Sequence, residues 1–265
     1  MKKALFQGIV TIALFFASWF AMNQIDWVSL FEIQQATDTT EEKIGELFWD
    51  ITQSTEKENT SPFVKSAVDS IVTKICTENK IERKTIKVHV IEKEDINAFA
   101  LPNGHLIIYT GLLLNSANQE ELSGVIGHEI AHIQLNHVFK KLVSEIGLSV
   151  LIAMTTGNSN TETIKAALKM LSSTAFDRSL EKEADMKAVD YLMKAKINPE
   201  PFANFLFKLS DKENEVTSYL TWISTHPASK ERSKYIIESI QGKKLESKSV
   251  LAQSTWLTLQ EKLKL

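Results

Sequence analysis

The sequence predicts an α+β fold: one N-terminal transmembrane helix, then a mainly helical domain with a small sheet or hairpin ahead of a helical bundle. Three observations predict it. An apolar run fills residues 4–22. Residues 85–91 alternate in the strand manner, and the runs 98–101 and 106–110 flank a Pro102-Asn103-Gly104 turn. Beyond that turn apolar residues recur at helical spacing, as in Leu122, Val125, Ile126 and Ile130.

Taken in order, Lys2 and Lys3 precede the apolar run, whose polar breaks are Gln7, Thr11 and Ser18. Its 19 residues suffice to span a bilayer as a helix. Phe16, Trp19 and Phe20 crowd its exit and no small-x-small cleavage site appears, which favours an uncleaved signal-anchor over a cleaved signal. Secretion to the periplasm after cleavage is the alternative. The two lysines would stay cytoplasmic, sending the remainder outward, with Trp19, Phe20 and Trp27 as an interfacial belt. No cysteine follows the run to carry a lipid.

The expected organisation is an anchor over 1–25, a linker over 26–60 and one domain over 61–265. Within the linker, Asp38-Thr39-Thr40-Glu41 reads as a helix cap, and Ile44, Leu47, Phe48 and Ile51 form an amphipathic face. Ser61 and Pro62 open the next helix, the serine as cap and the proline at the first helical position. Its stripe of Val64, Val68, Ile71 and Ile75 takes in Cys76, which reads as a buried structural thiol. Ile86, Val88 and Val90 share one strand face. Ser116-Ala117-Asn118-Gln119 reads as a capping box, and Asn198-Pro199 opens a later helix. The apolar patch 146–154 is too short to span a membrane; it is either core or a lid.

Composition bounds the partners. About 240 residues remain after the anchor, enough for one sizeable core. A net charge of −3 implies neither nucleic acid nor an acidic membrane surface as partner. A single cysteine forms no internal disulfide.

The candidate chemistry lies in His128-Glu129-Ile130-Ala131-His132. Residues four apart share a helix face, so two imidazoles can grip one Zn²⁺ while Glu129 reaches a water as general base. A catalytic zinc needs a third protein ligand. His137 follows five residues after His132, well round the helix, and suits a supporting role better. Glu181 and Asp185 are again four apart, so one can bind the ion while the other accepts the outer N–H of a ligating histidine. Glu183 is the competing third ligand.

Together with Asn97-Ala98-Phe99-Ala100-Leu101-Pro102-Asn103-Gly104, Phe176-Asp177-Arg178-Ser179-Leu180-Glu181-Lys182-Glu183-Ala184-Asp185 and Thr225-His226-Pro227-Ala228-Ser229-Lys230-Glu231-Arg232, this motif resembles the M48 group of gluzincin metallopeptidases. The similarity runs over roughly residues 60–240 and its blocks keep the family's order. Asn103 stands where many relatives have glycine, a change a left-handed turn tolerates. The resemblance implies a zincin-type domain over 61–265 holding one zinc ion through His128, His132 and Glu181. Glu129 would be the base, and Asp185, Arg178 and Arg232 supporting residues. His226 would sit close to the metal, as catalytic donor or as latch, and the edge strand Asn97, Ala98, Phe99 and Ala100 would hold the substrate by main-chain pairing. It further implies an endopeptidase of unfolded envelope or membrane proteins, anchored with its catalytic domain outside the cytoplasm. The alternative is a latched, chaperone-like zinc module.

Overall fold

The structure is a computed structural model, and it describes residues 2–24, 33–212, 221–227, 230–243 and 247–264. Trp27 of the expected belt, the side chain of Phe20, and Ala228-Ser229 of the third motif lie outside what it describes. The chain forms two compact units, Met1–Thr40 and Glu41–Leu265.

The first unit contains helix α1, Lys2–Gln24. Val10, Ile12, Leu14, Phe15, Phe16 and Trp19 are exposed along it. The expected bilayer-spanning helix is not borne out: among the described residues no helix is long and apolar enough to cross a membrane.

Helix α2, Ile33–Thr55, begins earlier than its expected cap. Gln34, Gln35 and Ala36 contain no helix breaker, so the helix runs through Asp38–Glu41 rather than starting there. Its Ile44 and Phe48 are fully buried. Helix α3, Pro62–Glu78, has proline in its first turn as expected, but Ser61 makes no side-chain cap. Cys76 is fully buried among Val68, Ile71 and Ile75, and burial pushes its thiol up to about 11.

Strands β1 (Lys87–Ile91), β2 (Ala98–Leu101) and β3 (His105–Tyr109) form one sheet in the order β1-β3-β2. β2 and β3 are the expected hairpin, paired antiparallel with Ala98 opposite Ile108. Its turn needs positive φ at Asn103 (59°) and Gly104 (73°), the dihedrals that asparagine and glycine supply most cheaply. β1 pairs parallel to β3, Val88 opposite Leu106, leaving β2 as an edge.

Side chains alternate across the strands, so each face meets a different helical layer. Val90, Ala98, Leu106 and Ile108 join the main core with α3 and with helix α5, Gln119–Gln134. Ile91, Phe99, Leu101, Ile107 and Tyr109 join a second core with α2, α6 (His137–Ile146), α7 (Leu148–Thr155) and α8 (Thr161–Ser173). The sheet is therefore sandwiched between two helical layers. Within the 146–154 patch, Leu151 and Met154 are buried in that second core, whereas Val150 and Ile152 are exposed. The remaining helices are α4 (Thr110–Asn115), α9 (Arg178–Lys194), α10 (Glu200–Lys212), α11 (Thr221–Thr225), α12 (Lys230–Ile240) and α13 (Gln253–Leu263).

Candidate metal centre

Helix α5 carries the first two imidazoles. Its cap is Asn118, whose side chain accepts from the Glu121 backbone N–H at 2.8 Å, while Glu121 accepts from Ala117 N–H at 2.9 Å. The expected box is thus displaced by two residues, because Ser116 instead closes α4, donating to Leu112 O. Leu122, Val125, Ile126 and Ile130 are all fully buried. α5 packs on α9, α10 and β2, which brings His128, Glu129 and His132 into the interior.

There His128 Nε2 lies 3.0 Å from His132 Nε2 and 3.2 Å from His226 Nδ1. Glu181 Oε1 is 2.8 Å from His226 Nδ1 and 3.3 Å from His132 Nε2. One ligand atom from each of His128, His132, Glu181 and His226 lies within 4.8 Å of the others. Glu183 is half-exposed, facing His137 Nε2 at 3.4 Å, so α9 turns Glu181 and not Glu183 towards the histidines. His137 contacts the group through His132, Nδ1 to Nδ1 at 3.2 Å.

The tautomers follow from the outer contacts. His128 Nδ1 faces Asp185 Oδ1 at 2.9 Å, so Nδ1 carries the proton and the Nε2 lone pair points inward. Burial holds His132 well below its usual range, against the pull of Glu181, and keeps it neutral. Imidazole nitrogens and a carboxylate that converge in a site sealed from water are a donor set suited to a divalent cation.

Arg232, on α12, is the main counter-charge. It donates to Asp185 through Nε at 2.8 Å and Nη2 at 2.7 Å, and reaches Glu181 Oε2 from Nη1 at 2.6 Å. Tyr235 also donates to Asp185. Burial would raise the Asp185 carboxyl, but Arg232 and His128 outweigh it and hold it at about 2. Glu181 is likewise held well below the carboxylate range, burial being overcome by His226 and Arg232. Arg178, by contrast, is exposed in the first turn of α9 and makes no ion pair among the described residues.

Glu129 sits beside the cluster, 1 % exposed. Burial raises it to about 7, with His128 and a Trp222 N–H opposing. A carboxyl poised near neutrality suits a group that must take and return a proton. Asn97 just precedes β2 and Ala98, Phe99 and Ala100 lie in it; all four are buried. Sequence reasoning missed Trp222, whose Nε1 donates to Glu129 Oε1 at 3.1 Å, and Phe176, which packs 4.3 Å from the His132 ring and stacks on His226. One signal was available for Trp222: it precedes His226 by one helical turn.

A HExxH helix crossed by an ExxxD helix, with a third histidine entering from a separate turn, defines a metallopeptidase centre of the gluzincin kind. The pattern of Peptidase family M48 matches residues 62–240, and the chain belongs to that family, whose peptidases use zinc. It is 31% identical over 163 residues to mitochondrial metalloendopeptidase OMA1 of Bos taurus, covering 56% of this chain and 31% of that protein. It is 30% identical over 164 residues to metalloprotease LoiP of Escherichia coli (strain K12), covering 60% and 64%. To the beta-barrel assembly-enhancing protease of Yersinia pestis it is 22% identical over 178 residues, covering 63% and 37%. The chain thus spans under two thirds of the length of each of these three relatives.

Proposed function

We propose that the protein is a zinc-dependent endopeptidase that hydrolyses unfolded or damaged membrane and envelope polypeptides, as in protein quality control. One observation carries the reading: His128, His132 and Glu181 converge with Glu129 beside them in a buried cluster, within a chain of family M48. Relatives named as endopeptidases, and one as a β-barrel assembly-enhancing protease, support the substrate class.

In this reading His128, His132 and Glu181 hold the ion. Bound zinc would polarise the scissile carbonyl and make water a nucleophile at neutral pH. Glu129 takes the proton from the attacking water and returns it to the departing amine. Asp185 keeps the His128 Nε2 lone pair directed inward, and Arg232 balances the two buried acids. An extended substrate pairs with the edge strand at Asn97–Ala100, which gives weak sequence preference. The exposed apolar side chains of α1 support attachment to a membrane, and Lys2 and Lys3 support a catalytic domain outside the cytoplasm.

The test is cleavage of casein by the purified protein, abolished by a chelator and restored by zinc. No cleavage of unfolded protein by the zinc-loaded chain would overturn the reading.

A second reading, a latched module, is favoured by His226 alone. Its Nδ1 lies among the ligand atoms, and His128, His132 and His226 are fully buried. If His226 occupies the position that water needs, His226→Ala raises basal cleavage with zinc retained. A fall of roughly two to three orders of magnitude would instead make it a donor to the oxyanion.

A further inference from the structure

Among the described residues Trp222 is the largest fully buried side chain, and within the main core it lies against the base. An indole N–H can only donate, and when buried it must find an acceptor. The acceptor it finds is Glu129 Oε1, at 3.1 Å. We propose that Trp222 is the positioning residue for Glu129, its indole N–H aiming the carboxylate that takes the proton from water. The proposal rests on the peptidase reading above.

Geometry supports a directed contact. The ring cannot turn: it stacks on His226 (4.9 Å, 24°), meets His128 edge to face (5.6 Å, 69°), tilts against Phe205 at 5.9 Å and lies 5.5 Å from the Arg232 guanidinium. Its backbone is tied at both ends. Trp222 N–H donates to Ile96 O at 3.1 Å, and Trp222 O accepts from His226 N–H at 2.9 Å. The direction of the indole N–H is therefore set by four neighbouring side chains and by the turn just before β2.

Glu129 needs such a fixed donor. Its side chain has rotatable bonds that α5 does not lock, and His226 Nε2 stands only 3.3 Å from Oε1, a competing attraction. The indole N–H occupies one lone pair and leaves the others free, since an ionised carboxylate accepts about four bonds. Misdirection of a reacting group by about 1 Å can cost ~100-fold, so orientation matters more here than packing volume. A phenylalanine could fill much of the space. It could not aim the base.

The experiment uses the zinc-loaded full chain with three replacements. Trp222→Phe removes the N–H together with some volume, and β-(3-benzothienyl)alanine introduced at position 222 removes the N–H at nearly constant shape. Both should lower kcat by about 10- to 100-fold, the usual worth of a hydrogen bond to a charged group, with KM and zinc content unchanged. The third replacement, Glu129→Gln, provides a readout apart from activity. The ¹⁵N-bound indole proton of Trp222, assigned by its loss in Trp222→Phe, should move upfield there because its charged acceptor is gone. An unchanged kcat in the isosteric variant overturns the proposal, as does an indole proton that ignores Glu129→Gln. A rise in kcat would make Trp222 a restraint on the base, and loss of zinc in step with activity would make it structural support. Wild-type protein that binds zinc yet cleaves nothing brings down the peptidase reading itself, whereas the other failures leave that reading standing.

Discussion

At the scale of the residue, each site group has a neighbour that sets its state, so single substitutions separate their roles. Glu129→Gln removes the base while sparing every candidate ligand. Cleavage should fall by about 10²- to 10⁴-fold with zinc content unchanged; normal turnover by the metal-loaded variant would refute the assignment. Glu181→Ala should lower zinc content far more than Glu183→Ala, because Glu181 faces the histidines and Glu183 is half-exposed towards His137. Equal losses would mean the third ligand is misassigned. The two arginines of the family pattern should part company. Arg232→Ala strands Asp185 and Glu181 as buried charges and should cost roughly 3–5 kcal/mol in urea denaturation. Arg178→Ala, at an exposed position, should stay within about 0.5 kcal/mol.

At the scale of the element, α2 is docked by one close approach. A Cβ on Gly45 would run into the Pro102 carbonyl oxygen at the hairpin turn, a backbone atom that cannot swing aside. Gly45→Val should therefore push α2 off the second core and destabilise the protein by ~1–3 kcal/mol, the usual cost of overpacking. Unchanged denaturation would show that the turn yields. The elements also mark what the sequence made legible. The buried stripe of α5, the Asn103-Gly104 turn and the strand face of Val88 and Val90 were readable, because each rests on local periodicity or one residue's dihedral preference, whereas Arg83–Thr85 forms a 3-10 turn and the strand starts only at Lys87. The caps were not. Ser116 and Asn118 are both good caps, and tertiary packing decides which helix each one serves. The parallel pairing of β1 with β3 and the helical layer over the sheet's second face join distant segments, beyond the reach of local pattern. The metal cluster was legible because the i, i+4 pairs on α5 and α9 each share a face. Trp222 stayed hidden since an aromatic at helical spacing is more often core than machinery.

At the scale of the whole molecule, the question is what α1 does beside a unit that holds the entire candidate site. The second unit, Glu41–Leu265, contains both cores and every ligand candidate. α1 exposes Phe15, Phe16 and Trp19. Large exposed apolar side chains are costly in water, and a bilayer is the simplest cover for a whole helix of them. A chain starting at residue 33 keeps α2 intact, so it should still bind zinc, still cleave casein, and leave the membrane fraction for the soluble one. The full chain should stay with membranes in high salt and be released by detergent, because apolar attachment is not screened as charge attraction is. A reporter joined after residue 30 should be active only outside the cytoplasm. A full chain that is soluble without detergent would end the attachment proposal and leave the metal centre untouched, since nothing in that centre draws on residues before Glu41.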